Sequence, residues 1–469
     1  MNIFFDETST KLGRSYLKGI CNKIPAIERI FTIRIPNQNP IEIDGKEIIN
    51  IDLEETISSN YNNLDKTIPV DKSVFESLNF DSLLTLKMSD RFGSFNGSDN
   101  FEERAQIFFN HVRFWNHIIE KHKIKISVFL SVPHEPAGFL IHQLMKSKGR
   151  TSLYHEQLHL QDTYLIEENI NIKKSTSFKK DELLYKNAKF TIQEFRKPDY
   201  KPFYFNNFFN DLKKTELRIK KLKFVLKELK HKKRFFNYFT YKINTLFIRK
   251  KTLKYLTKCK VTPQLNKKYI FVPLHFQPEA STSPKGNIFV FQSLMIKMLS
   301  HSLNDSDWII YLKEHPAQNP VFGRNLEFYK ELNNLENVFF INEKIPTRNI
   351  LLSSKAVGVI SGTMGLEAIF NEIPVICFGH IYYKFFHGVF PVETNQELKN
   401  AIEKISSGFK PKLPELLNEI KNTPSNYFRG YVNYEYEEVS KITFSENINL
   451  LVNNLNSYLN DYKSTGSKI

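Results

Sequence analysis

The sequence has little of what staples or anchors a chain. Three cysteines among 469 residues, Cys21, Cys259 and Cys377, are widely scattered. They form no metal or redox spacing and read as incidental or buried thiols of a reducing compartment. Long hydrophobic runs are missing too: no window approaches the roughly 18 to 20 uninterrupted apolar residues that a membrane span needs. The opening MNIFFDETSTKLGR carries an acidic residue early and no apolar core of signal-peptide length. These absences predict a soluble, cytoplasmic chain that meets a membrane only at its surface. Glycine is scarce, at 17 residues, beside many Lys, Ile, Asn and aromatic residues. That bias speaks of the genome rather than of a special function.

What is present suffices for real cores. The chain is 41% hydrophobic and 14% aromatic, and its 469 residues are too many for one ordinary core, so two domains are expected. The net charge of +16 is concentrated. Residues 212–260 hold 18 Lys and Arg against Glu216 and Glu228, which is +16, and the remainder sums to about neutral.

The first 200 residues alternate strand-like and helical stretches. Strands are expected at Asn2–Phe5, Ile30–Ile35, Ile126–Val132 and Thr151–Tyr154, and a helix at Phe101–Lys121. The run ISVFLSVP has the continuous apolar character of a strand covered on both faces. AGFLIHQLMKSKG then reads as a helix and TSLYHEQ as the next strand, a βαβ unit. In the basic stretch Leu222, Val225, Leu226 and Leu229 recur at helical spacing, so at least one amphipathic helix is expected. The second half restarts with buried strands at Tyr269–Leu274, Trp308–Leu312, Val338–Ile341, Val357–Ile360 and Val375–Phe378. Helices at Phe289–Ser300, Leu326–Leu332, Gly365–Asn371 and Asn395–Ile405 separate them. This rhythm predicts an open, doubly wound parallel sheet. The last helix, Phe444–Leu459, is expected to fold back across both domains. The resulting division is a first Rossmann-like domain over 1–205, a basic helical insertion over 206–262, a second Rossmann-like domain over 263–443, and a helix with a loose tail over 444–469.

Polar residues gather at the expected strand ends, where open α/β sheets bind ligands. In AVGVISGTMGLEAIFNEIPVICFG a strand runs into Ser361, Gly362 and Thr363 and on into a helix carrying Gly365 and Glu367. A helix N-terminus there suits a phosphate, the hydroxyls add donors, and Glu367 is placed to accept from a ribose diol. The alternative makes Ser361 or Thr363 an N-cap and Glu367 a first-turn acid. A second strand ends in Lys313, Glu314, His315 and Pro316, with the imidazole a candidate phosphate donor. A third polar loop holds His275, Gln277, Glu279, Ser281 and Thr282, suited to a sugar or base. In the first half, His134 and Glu135 stand between two prolines at a strand end. Glu135 there is a candidate general base or nucleophile. His155 and Glu156 end the next strand and are expected to line the same cleft. Asp305-Ser306-Asp307 imitates a metal-binding DxD but reads as a solvated turn.

The motifs KEHP (Lys313–Pro316), SGTMGLEA (Ser361–Ala368) and IPVICFG (Ile373–Gly379), in that order and spacing, resemble the capsule-polysaccharide synthesis family of bacterial glycosyltransferases. That family includes the Kdo-type ulosonic-acid transferases of capsule and lipopolysaccharide. PHEP (Pro133–Pro136) followed by a helix and LYHEQ (Leu153–Gln157) is similar to its N-domains. The resemblance covers about two-thirds of the chain. It implies a GT-B fold, two Rossmann-like doubly wound domains, here with an inserted basic helical segment. It also implies a CMP-activated ulosonic or nonulosonic acid as donor substrate, a surface-polysaccharide or lipid-linked acceptor, and no cofactor or catalytic metal. By the same resemblance His315, Ser361 and Thr363 hold the nucleotide phosphate and Glu367 the ribose; Pro316 stiffens the turn that aims His315, and Gly362 and Gly365 allow the backbone to approach closely. No Arg sits inside these motifs, so Lys313, hydroxyls or backbone N–H groups would hold an acidic sugar.

Alternatives remain on the residues alone. Another reaction on the same fold, such as a CDP-polyol phosphotransferase or a UDP-sugar enzyme, uses similar turns. A 2-epimerase would need a paired-acid set that is not evident. A non-catalytic scaffold of a capsule assembly complex is the alternative from another class. For the basic segment, an anionic membrane surface at the inner face of the plasma membrane and a solvated linker rank above nucleic acid, because the charge is confined to one insertion.

Overall fold

The computed structural model describes the chain apart from residues 36–38, 80, 90–100, 175–176, 199, 201–231, 278, 305, 317, 319–323, 343 and 465–469. The first sheet contains β1 (Asn2–Phe5), β2 (Arg29–Arg34), β3 (Glu47–Asp52), β4 (Ile124–Phe129), β5 (Thr151–Gln157) and β6 (Thr163–Glu167). After a short strand β7 (Phe178–Lys180) the second sheet begins. It contains β8 (Tyr269–Pro273), β9 (Ile309–Lys313), β10 (Val338–Phe340), β11 (Ala356–Val359), β12 (Val375–Cys377) and β13 (Val389–Pro391). Two late strands follow, β14 (Asn422–Pro424) and β15 (Tyr427–Arg429).

The strand orders locate the ligand edges. The first sheet runs β15-β6-β5-β4-β1-β2-β3, parallel from β5 to β3. Strands β6 and β15 add antiparallel at its edge. The chain builds outward from β1 through β2 and β3, then crosses back to β4 and β5, so the order reverses between β1 and β4. The second sheet runs β10-β9-β8-β11-β12-β13, every pair parallel. Its order reverses between β8 and β11. Two doubly wound sheets of this kind make the GT-B architecture. In each, the crevice at the carboxyl ends beside the reversal is where a ligand fits.

The core follows from the apolar strands. β4, β5, β8 and β11 are buried along nearly their whole length, as strands covered by helices on both faces must be. The helix Phe101–Lys121 begins and ends at its expected residues, with Glu102 and Glu103 in its first turn. The last helix is longer than expected, Phe444–Ser464. Its Leu451, Leu455 and Leu459 share a core with Leu12, Tyr16 and Ile20 of the helix Lys11–Lys23. Gly19 permits that approach: a Cβ there would stand 2.5 Å from Val452 Cγ2. The return of the chain through β15 and this last helix completes the first domain.

Of the basic insertion, residues 206–231 lie outside the described residues, and with them the helix expected around Leu222, Val225, Leu226 and Leu229. The remainder forms the helix Lys232–Cys259. Thr252 and Leu256 are buried, Leu256 within the core of the second domain. Just before them the helix is exposed all round, with Leu246, Phe247 and Ile248 followed by Arg249, Lys250 and Lys251, and Leu253, Lys254 and Lys258 are exposed further on. Among the described residues no helix is long and apolar enough to cross a membrane. All three cysteines are free, with Cys21 and Cys377 buried.

Candidate functional site

The second-domain crevice is built by the loop after β8 and the turn after β11. Nε2 of His275 accepts the backbone N–H of Ser361 at 3.3 Å, and Ser361 Oγ donates to the Ser281 carbonyl at 2.6 Å. Two loops 80 or more residues apart are thereby locked where the strand order reverses. Accepting at Nε2 requires a neutral ring with its proton on Nδ1. Burial, then the Arg324 and His315 charges, push the His275 pKa down to about 3, which keeps the ring neutral. Gly362 is needed because a Cβ would lie 2.8 Å from His275 Nε2. Gly365 is needed because the Tyr383 hydroxyl fills the space its Cβ would take, and that hydroxyl donates to the Gly362 carbonyl. The helix Thr363–Phe370 starts at this joint, its positive end towards the crevice.

The KEHP turn is fastened to the same loop by a residue that the motif does not contain. Arg324, fully buried, pairs with Glu314 and donates to the His275 carbonyl. Tyr329 Oη holds the other Glu314 oxygen at 2.7 Å. An arginine therefore does stand at the motif, brought back from ten residues beyond Glu314. Lys313 is buried and donates to Thr347 Oγ1 at 2.8 Å and to the Ile345 carbonyl. His315 stands with Pro316 at the rim, its ring 5.7 Å from that of Phe276. Partial desolvation lowers its pKa, with Glu279 opposing and Arg324 adding to the fall.

The remaining loop residues divide between building and facing the crevice. The Gln277 amide donates to the Val290 carbonyl and its backbone N–H to Gln318, which makes it a strut of the loop. Thr282 Oγ1 donates to the Glu279 carbonyl at 3.0 Å. Exposed Glu279 accepts from Ser281 Oγ at 2.7 Å. Glu367 follows one turn after Thr363, and burial pushes its pKa up to about 7, with Arg348 opposing.

In the first domain the reversal between β1 and β4 carries carboxyl groups from both strand ends. Glu135 is exposed and caps the helix Pro136–Ser147 without a side-chain capping bond. His134 Nδ1 lies 2.7 Å from the Val132 carbonyl. Asp6, one residue past β1, was not among the expected site residues. Burial, then Glu7 and Glu135, push its pKa up to about 7. The signal available for it was the rule used for Glu135, a carboxylate at the end of a parallel strand. Its loop is built tightly: Glu7 adopts a φ of 64°, and a Cβ on Gly13 would collide with the Glu7 carbonyl.

His155 departs from expectation. Alternation along β5 turns it into the core, where it meets Tyr16 Oη at 3.1 Å and the Phe129 carbonyl at 2.8 Å. Its neighbour Glu156 therefore faces the other way and pairs with Lys285 of the second domain. Other contacts between the domains are Arg196 to Glu372 at 2.9 Å and Arg348 to the Phe195 carbonyl at 3.1 Å. Among the described residues no three His, Cys, Asp or Glu side chains gather as a metal site. Of the DxD imitation, Asp305 lies outside the described residues and Asp307 pairs with Lys268 at 2.9 Å.

Residues 156–407 match the family described as capsule polysaccharide biosynthesis protein. The chain belongs to that family. Within this capsule-synthesis protein the matched stretch takes in Glu156 and all of the second-domain crevice, while Asp6, His134 and Glu135 precede it. No curated protein matches the chain. Among solved structures it is similar to a beta Kdo 2,7 transferase, KpsC of Thermosulfurimonas dismutans. The identity is 11%, covering 97% of this chain and 99% of that one, with a TM-score of 0.35. It is also similar to the UDP-GlcNAc 2-epimerase of Methanocaldococcus jannaschii at 11% identity, covering 88% and 95%, with a TM-score of 0.28. The third is HepE of Anabaena in complex with UDP-glucose, at 10% identity, covering 97% and 100%, with a TM-score of 0.30.

Proposed function

We propose that this protein is a glycosyltransferase that moves a sugar from a nucleotide donor to a surface-polysaccharide or lipid-linked acceptor. The observation that carries the reading is the joint of His275, Ser281 and Ser361 at the second-domain reversal, inside the family-matched stretch. The donor phosphate lies at the start of the helix Thr363–Phe370, with Ser361, Gly362, Thr363 and Gly365 beneath it and His315 and Pro316 alongside. Glu367 holds the ribose. The loop of His275, Gln277, Glu279, Ser281 and Thr282 shapes the pocket for sugar or base. Glu135, with His134 beside it, receives the acceptor hydroxyl proton from the opposite domain.

The chemistry suits donors of this kind without a metal. As the glycosidic bond breaks, positive charge grows on the sugar and negative charge on the leaving phosphate. The helix terminus and imidazole stabilise the latter, and a carboxylate serves the former. The donor class we propose is a CMP-linked ulosonic or nonulosonic acid. The protein works in the cytoplasm against the inner face of the plasma membrane, held there by the exposed apolar and basic residues of the helix Lys232–Cys259.

The test is nucleotide release. Purified protein incubated with a CMP-linked ulosonic acid and a capsule or lipid-linked acceptor is expected to release CMP in step with extension of the acceptor, with EDTA present. Release with a UDP-sugar or a CDP-polyol instead overturns the donor class. Nucleotide binding without any turnover favours the scaffold reading.

A further inference from the structure

Lys285 and Glu156 form a buried ion pair between the two domains, their side chains 8% and 7% exposed. The ammonium does not rise from a random surface. Its residue closes the loop of the second-domain crevice, three positions after Thr282. The Lys285 carbonyl accepts the His380 N–H at 2.8 Å, and Gly379 leaves room for that carbonyl where a Cβ would stand 2.8 Å away. Gly286, next in the chain, lies against Ile360, just before Ser361. Lys285, on the loop after β8, thus lies beside the carboxyl ends of β11 and β12, the edge that carries the phosphate turn.

The surroundings of the pair are polar and unsatisfied. Four buried atoms about this loop have no hydrogen-bond partner among the described residues: Glu156 Oε2, His275 Nδ1, Ser283 Oγ and His380 Nδ1. A native interior rarely leaves such groups without a purpose. Glu156 is held on one oxygen alone, so the carboxylate is an incomplete partner for a buried ammonium. A buried pair of this quality balances its desolvation poorly, and a better-coordinated anion would displace it.

We propose that Lys285 is a ligand for the anionic group of the donor, with Glu156 as its counter-charge until that group takes its place. The inference rests on the nucleotide-donor reading. It identifies a cation outside the sequence motifs, where Lys313 is engaged with Thr347 and the Ile345 carbonyl, and it couples donor binding to the contact between the domains. The shared chemistry is an oxyanion, either a nucleotide phosphate or a sugar carboxylate.

The experiment is calorimetric titration of the full chain with CMP, a CMP-linked ulosonic acid and UDP-glucose. Glu156→Gln is expected to bind about tenfold tighter than the wild type, because its competitor is gone, and Lys285→Met about tenfold weaker. Lys285→Arg should fall between wild type and Lys285→Met. Opposite signs are the decisive feature, since a clamp that only supports the fold would weaken both. If the effects appear with CMP alone, the phosphate is the partner. If they appear only with the CMP-linked acid, the carboxylate is. Should a single variant fail to fold, the double variant Glu156→Met/Lys285→Met decides: binding about tenfold weaker supports the proposal, and wild-type binding overturns it. Wild-type binding with both single variants unchanged, or both weakened, overturns this inference and leaves the function standing. Absence of any binding, in wild type and Glu156→Gln alike, overturns both.

Discussion

The imidazole of His275 and the backbone N–H of Ser361 meet at 3.3 Å, joining the loop after β8 to the turn after β11. The contact leaves no room for a side chain at Gly362. Gly362→Ala is therefore expected to separate the two loops and weaken nucleotide binding about tenfold or more. Calorimetry checks this, and wild-type affinity in a folded Gly362→Ala protein would show that the joint does not shape the site.

The Arg324–Glu314 pair is buried and ties KEHP to the His275 loop. Arg324→Met leaves Glu314 buried without its partner, a loss of about 3–5 kcal/mol and a fall in melting temperature of roughly 10 °C. Thermal denaturation measures it. The double variant Arg324→Met/Glu314→Gln should recover part of the loss, and no recovery would mean that the charge of Glu314 is not what destabilises the single variant.

Asp6 retains its proton up to about pH 7, whereas an unfolded Asp loses it near ~3.9. Between those values the folded chain binds the extra proton. Its contribution to stability is thus complete below about pH 4 and is lost as pH rises through about 7. Asp6→Asn removes that loss. Its melting temperature relative to wild type should climb between about pH 4 and about pH 7, and a flat difference would place Asp6 among ordinary carboxylates.

The exposed stretch 246–251 of the helix Lys232–Cys259 combines Leu246, Phe247 and Ile248 with Arg249, Lys250 and Lys251. Flotation with vesicles containing anionic lipid should carry the protein, and purely zwitterionic vesicles should not. Each basic residue near the surface contributes about 1 kcal/mol, so Lys250→Glu/Lys251→Glu should reduce binding by at least about tenfold. Equal flotation with both vesicle types would reject the electrostatic part of the account.

Much of this architecture was legible because its physical causes are local. Buried parallel strands are continuous apolar runs, and β1 and the helix Phe101–Lys121 have their expected bounds. Strands β6 and β15 were not legible: both lie antiparallel at the sheet edge, outside the βαβ rhythm, and β15 joins the first sheet only through a chain return of some 260 residues from β6 to β15. At the site, the motif residues stand at strand ends, where sequence order shows them. Arg324 and Lys285 gained their places through loops, whose paths follow from packing and leave no periodic trace. His155 was misplaced by one step of strand alternation, because the polar end of β5, His155-Glu156-Gln157, does not show which of its side chains turns into the core.

The most direct test of the central claim is nucleotide binding at the joint of the second domain. The melting temperature of the purified chain would be measured with CMP, CDP, UDP and GDP, each with and without EDTA, in wild type and His315→Ala. A ligand at a hundredfold excess over its dissociation constant stabilises by about 2.7 kcal/mol. A rise with CMP alone, unchanged by EDTA and lost in His315→Ala, is the predicted result; no rise with any of the four nucleotides would contradict it.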